Sequence, residues 1–250
     1  IMDLIKRYGT NFKVSFSISG SALEQFALHA PEVIESFKEL AKTGSVEFLA
    51  ETYAHSLASL SDTDEFERQV QRHAAKMEEL FGQKPVTLRN SSLIYSDQIG
   101  ERVAAMGFES MLTDGAKHVL GWKSPNFVYT NVMNPRLKLL LKNSRLSDDL
   151  TLRFSDHSWH EWPLTADKYA RWLKDSTQDS EIVNLFMNYE TFGENQLAET
   201  GIFEFMRSLP EYIFSTTDFE FLTPSEAVKK HQPVAPLHVP YPISWADEEK

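Results

Sequence analysis

The residues that could do chemistry stand in three short blocks. Asn188, Tyr189 and Glu190 end the most apolar run of the chain, IVNLFMNYE from Ile182 to Glu190. Alternate residues of an extended segment share a face, so Asn188 and Glu190 point the same way. An amide and a carboxylate ending a strand of Ile, Val, Leu, Phe and Met are costly unless satisfied, so a ligand or a polar network is expected there. Glu51 and His55 flank Thr-Tyr-Ala in ETYAHS. A carboxylate and an imidazole four apart suit acid–base work or the holding of a polar substrate, and equally a helix-cap region with a hydrogen-bonded His. The third block, DHSWHEW from Asp156 to Trp162, offers Asp156, His157 and His160 as metal-ligand types. No second cluster is placed to complete such a site. Trp159 and Trp162, like Trp122 and Trp245, read either as core or as faces for the C–H side of a sugar ring.

These blocks sit at the ends of strand-like segments. FKVSFSI (12–18) alternates in the period of a strand. A helix opens at Pro31 with Val33, Ile34, Phe37, Leu40 and Ala41 on one stripe and stops at Gly44. VEFLAE (46–51) is the next strand, followed by a long helix from Asp64 to Phe81 that Gly82 closes. A short strand near 86–88, a helix over 97–106 and a strand over 108–113 follow. The stretch 122–143 is less regular. A helix over 166–173 leads to the strand 182–190; helices over 199–208 and 210–215 precede a last strand, FEFLT (219–223). The tail QPVAPLHVPYP reads as an extended connector, because proline fixes φ and removes a ladder donor. Strand–helix alternation predicts parallel strands joined by helical crossovers. Polar residues gathered at strand ends favour a barrel over an open doubly wound sheet, which would carry a Gly-rich phosphate loop after its first strand.

Composition narrows the function. With 25 basic and 36 acidic residues the formal charge is −11, which is unsuited to a phosphate backbone. No apolar run approaches the ~20 residues needed to cross a bilayer. Neither nucleic acid nor membrane is an expected partner. The chain has no cysteine, which excludes disulfides, thiolate zinc sites and a Cys nucleophile, and fits a cytoplasmic address. It opens on Ile1, and the natural N-terminus is expected to lie upstream. No G-x-S-x-G elbow, H-E-x-x-H helix or P-loop occurs.

Taken in order, VEFLAETYAHSL, LRNSSLIYSD, LFMNYETFGENQ and ISWAD resemble the α-amylase branch of glycoside hydrolase family 57, as do LKNSRLSDD and EWPLTADKYARWL. The resemblance spans nearly the whole chain. It implies a (β/α)7 barrel over residues 1–232 that acts on α-1,4-glucans without a cofactor or metal. Residues 233–250 would be a Pro-rich connector carrying ISWAD toward a helical region. The family's first strand carries a His-Gln-Pro block. The HQP here, His231 to Pro233, stands in the tail instead, so that first strand is expected to be missing, along with the helical region.

Two departures matter. Active members read Arg-Asn-Thr-Glu-Leu where this chain reads Arg89-Asn90-Ser91-Ser92-Leu93, so Ser92 holds the nucleophile position. They read Met-Asp-Tyr-Glu-Thr-Phe-Gly where Asn188 here holds the acid/base position. Retaining glycosidases need two carboxyl groups about 5–5.5 Å apart. A serine without a base and an amide supply neither a nucleophilic anion nor a proton. The resemblance therefore implies a catalytically silent glucan binder whose cleft is lined by Glu51, His55, Arg89, Tyr95, Asn188, Tyr189, Glu190, Trp245 and Asp247. An active amylase is a candidate partner. Two alternatives stand beside this reading. One is a glycosidase in which Glu190 substitutes; the other is a metal-dependent deacetylase-like enzyme using Asp156, His157 and His160.

Overall fold

The computed structural model describes residues 1–249, with side chains through 247; Lys250 of the expected connector lies outside the described residues. The chain packs as two units. The first comprises residues 1–121, 128–141 and 221 onward; the second comprises 122–127 and 142–220.

In the first unit β1 (Val14–Phe16) pairs in parallel with β2 (Val46–Phe48). Ala50 then bridges to β3 (Thr87–Arg89), through Ala50 N to Thr87 O at 2.9 Å and Arg89 N to Ala50 O at 2.8 Å. From β3 the order runs to β4 (Ser110–Thr113), β6 (Lys138–Leu141), β5 (Tyr129–Asn131) and β7 (Ala235–Leu237). Among the described residues β1 and β7 each pair on one side only. This is an α/β fold of the incomplete (β/α)7-barrel type.

The helices follow from sequence. After α1 (Met2–Tyr8), α2 (Gly20–His29) is capped by Ser19, which accepts from Ala22 N at 3.2 Å. α3 (Pro31–Ala41) begins on its proline. α4 (Thr63–Phe81) is capped by Asp62 and ends at Gly82, whose φ of 68° is the left-handed stop that glycine permits. Phe37 of α3 and Phe81 of α4 cover the strands: Phe48 stacks on Phe81 at 4.1 Å, and Phe16 meets Phe37 edge-on at 5.2 Å. α5 (Asp97–Ala105) crosses from β3 to β4, and the four-residue α6 spans Lys117–Leu120. α10 (Pro224–Lys230) starts with a Thr223–Glu226 capping box.

In the second unit α7 (Ser144–Thr151), α8 (Ala166–Asp175) and α9 (Ile202–Thr216) bury Tyr169, Phe205 and Phe154. Phe205 lies 5.7 Å from the Tyr169 ring and 5.2 Å from that of Phe154.

Several expectations are corrected. β5 runs antiparallel to β6, because residues 132–137 are too few for a helical crossover. The tail is not only a connector: Ala235–Leu237 is a strand parallel to β5, and its Pro236 is tolerated because β7 has one free side among the described residues. The segment 182–188 joins no ladder, being held instead by isolated bonds: Ile182 N to Asn126 O, Asn143 N to Asn184 O and Phe186 N to Ser147 Oγ. Residues 219–223 also form no strand; Phe221 packs on Phe12 at 5.0 Å. The two helices expected around Pro210 are one. The buried stripe Ile202, Phe205, Leu209 and Ile213 keeps α9 continuous across a residue that donates no hydrogen bond.

Candidate functional site

Because β1 to β4 and β6 are parallel, the residues that follow them share an edge of the sheet, the usual place for barrel chemistry. Ser17 follows β1 and Glu51 follows β2, while Arg89 ends β3. Glu51 is 2% exposed. Ser17 Oγ donates to its Oε2, and His55 Nδ1 lies 3.2 Å from its Oε1. Burial by itself raises the Glu51 pKa. The hydrogen bonds to His55 and Ser17 and the Arg89 charge outweigh that and hold it below the usual carboxylate range. Glu51 is therefore an anion at neutral pH, and because it is buried with both oxygens engaged, its role is to hold the exposed His55 ring rather than to touch a ligand itself.

His73 fixes the backbone under Glu51. It occupies the buried stripe of α4 with Phe66, Val70 and Met77. Its Nε2 lies 2.7 Å from Ile18 O, and its Nδ1 accepts from Glu51 N at 3.2 Å. A carbonyl only accepts and an N–H only donates, so the proton is on Nε2 and the ring is neutral. Burial lowers the His73 pKa below its ordinary 6.5. Below that pH the unfolded chain takes up a proton that the folded chain refuses, so stability falls with pH at up to ~1.4 kcal/mol per unit. Thermal melts between pH 7.5 and 5 should show this slope in the natural chain and a shallower one in His73→Phe. Equal slopes would refute the neutral-His assignment.

The loop after β3 is strained and bracketed. Ser92 (φ 54°) and Leu93 (φ 55°) are consecutive left-handed residues, and His55 (φ 50°) is a third in the loop after β2. Such conformations cost about 1–3 kcal/mol each and persist only where surroundings enforce them. Asn90, wholly buried, does so here. Its Oδ1 accepts from Ser91 N at 2.9 Å, and its Nδ2 donates to Ile94 O at 2.9 Å and Ser59 Oγ at 2.8 Å. Ser91 Oγ and Thr52 Oγ1, 2.8 Å apart, tie this loop to the Glu51 loop. Ser92 remains partly exposed, and among the described residues no base hydrogen-bonds its hydroxyl.

Tyr95 corrects an expectation. It is wholly buried and its hydroxyl accepts from Asn131 Nδ2 at 2.7 Å, so it offers no surface to a ligand in this conformation. Burial raises its pKa above the ordinary 10. Its backbone instead bridges Ile243 in both directions, at 3.0 and 2.8 Å, which anchors the ISWAD turn to the Ser92 loop. Trp245 in that turn is 57% exposed. Asp247 is turned inward to its own loop, Oδ2 accepting from Ser244 N at 2.8 Å.

In the second unit Asn188, Tyr189 and Glu190 are all exposed and open a short helical turn (Tyr189–Thr191). The segment before them is clamped by amides. Asn143 N donates to Asn184 O at 2.9 Å, Asn143 Nδ2 to Asn126 Oδ1 at 3.0 Å, and Phe186 N to Ser147 Oγ at 3.2 Å. The third block does not assemble into a metal site. Asp156 accepts from Ser158, His157 stacks on Trp162, and His160 lies beside Glu161. No group of three His, Asp or Glu suited to a metal occurs among the described residues.

Residues 1–240 match the sequence profile of Glycosyl hydrolase family 57. The chain belongs to this family. A Methanocaldococcus jannaschii protein carrying the name "Putative alpha-amylase" is 44% identical over 253 residues, covering 100% of this chain and 53% of that protein. The family-57 chain thus spans about half the length of that relative. Its fold is similar to the 4-alpha-glucanotransferase of Thermococcus litoralis, with a TM-score of 0.77 at 17% identity over 98% of this chain and 38% of that one. It is also similar to the alpha-amylase AmyC of Thermotoga maritima, with a TM-score of 0.69 at 11% identity over 98% and 70% of the two chains.

Within this family-57 chain, residue types alone pass over His73, Asn90, Asn126 and Asn143, which hold the site loops. A signal for His73 existed: a histidine replacing an apolar residue in the stripe of α4. The asparagines carry no such mark, because Asn126 and Asn143 find their partners far along the chain and Asn90 adds the distant Ser59 to its local bonds to Ser91 and Ile94.

Proposed function

We propose that the chain is a catalytically silent member of family 57 that binds α-1,4-glucan. The observation that carries this reading is at the end of β3. The position where active members are expected to place their nucleophilic carboxylate holds Ser92, with no base on its hydroxyl among the described residues. A neutral hydroxyl there cannot attack an anomeric carbon usefully at neutral pH. Asn188, at the expected acid/base position, cannot exchange a proton. The loops tied to the Ser92 loop still suit a sugar: they carry the exposed His55, held by the ionised Glu51, and the exposed indole of Trp245, while Arg89 ends β3 itself. The relative's name and the activities named for the solved structures support α-glucan as the ligand class. A glucan-binding chain of this kind fits a regulatory or accessory part beside an active amylase.

Calorimetric titration with maltoheptaose, run beside a reducing-sugar assay on the same sample, tests the reading. Binding without hydrolysis is expected, and Glu51→Gln should weaken binding about tenfold by removing the charged hydrogen bond that holds the His55 ring. Hydrolysis by the natural chain above a Glu190→Gln control would overturn it and make Glu190 the leading catalyst.

A further inference from the structure

Asp156 to Trp162 supplies none of the groups assigned above, yet its loop is firmly built. Asp156 Oδ1 accepts from Ser158 N at 2.8 Å and Ser158 Oγ at 2.6 Å. Trp159 N donates to Asp156 O at 3.1 Å and Trp162 N to Trp159 O at 2.9 Å. Lys168 Nζ clamps the far end, 2.6 Å from both Glu161 O and Glu161 Oε2. The two indoles of the loop then part. Trp159 turns inward, edge-on to Trp172 at 5.9 Å, with the Arg153 guanidinium 5.8 Å from its ring. Trp162 turns outward and is 42% exposed. The His157 ring covers one of its faces at 4.2 Å and 23°. The exposed surface of Trp162 must therefore come from its opposite face and its rim.

We infer that this outward face of Trp162, backed by His157, is a stacking platform for an α-glucan chain, a binding site that shares no residue with the Glu51 and Ser92 loops. A core indole would turn in as Trp159 does. A protein partner seated on apolar contacts would find, within this loop, only Asp156, His157, Ser158, His160 and Glu161 around the two indoles. A pyranose presents both a C–H face for the indole and hydroxyls for those polar side chains. The fixed loop adds the remaining element, since a pre-organised indole loses little freedom on binding. The ligand class rests on the function proposed above; the platform's residues do not.

Affinity electrophoresis of the natural chain in soluble starch tests this, alongside Trp162→Ala, Trp162→Phe and Glu51→Gln. Trp162→Ala should weaken the starch Kd about fivefold, in the natural and Glu51→Gln backgrounds alike, and Trp162→Phe should recover most of the loss. A Kd indifferent to Trp162→Ala overturns the platform. Dependence on Trp162 without dependence on Glu51 overturns the cleft reading alone. Hydroxyl-radical footprinting of the natural chain covers a variant that fails to fold. Maltoheptaose should slow oxidation of Trp162, and cellohexaose should not. Unchanged oxidation overturns the proposal. So does protection that grows with protein concentration without glucan, which marks Trp162 as a contact between copies.

Discussion

Ser92→Glu combined with Asn188→Asp is expected to release reducing sugar from maltoheptaose at least ~10²-fold faster than the natural chain, the lower end of what general acid–base help contributes. The reason lies in what each position lacks. The Ser92 loop is already held in shape by Asn90 and by the Ser91–Thr52 contact, and Ser92 is partly exposed, so a longer side chain has room. Its left-handed backbone strains Glu no more than Ser, since both carry a Cβ. Asn188→Asp keeps the shape of the side chain and restores a group able to give and take a proton. Each single variant should stay near background, because residues that act as a unit do not contribute additively. If the double variant binds maltoheptaose and remains silent, the two positions are not the catalytic pair and the proposed function loses its main support.

Gly100→Ala should lower stability by about 3 kcal/mol, the sum of overpacking and a displaced buried hydrogen bond. A Cβ at Gly100 would collide with Asn131 Nδ2 and come within 2.9 Å of Tyr95 Cε2. Neither neighbour can give way cheaply. Asn131 is wholly buried and donates to the Tyr95 hydroxyl and to Asp97 O at 2.9 Å, while its Oδ1 accepts from Met133 N and Asn134 N at 2.9 and 2.7 Å. For a chain of this size the loss corresponds to a Tm roughly 6–12 °C lower. Scanning calorimetry of Gly100→Ala, Asn131→Ala and the double variant checks the cause. The double variant should be less damaged than the two losses added, because removing the amide removes the clash. Additive losses would show that the clash is not the mechanism.

The sequence by itself determined the family and the fold class, with most of the helices. Stripes such as Phe66, Val70 and Met77, and stops such as Gly82, depend on local periodicity and backbone freedom, which a linear reading captures. It also placed Glu51 and His55 at the end of a strand, where the structure finds them hydrogen-bonded to each other. The antiparallel β5–β6 hairpin was within reach too, since Asn134-Pro135 is a turn signal inside a short connection. What the tertiary structure alone decided depends on partners distant in sequence. The neutral tautomer of His73 is fixed by Ile18 and Glu51, 55 and 22 residues away. The strain at Ser92 is enforced locally by Asn90 and from afar by Thr52, 39 residues from its partner Ser91, although serine ordinarily avoids that conformation. Tyr95 reads as a sugar contact by its place in a motif, but a buried amide from Asn131 claims its hydroxyl. The run from Ile182 to Asn188 has the composition of a strand and still joins no ladder, because Asn143 and Ser147 occupy its backbone groups. Periodicity fixes which residues share a face; only packing decides what meets that face.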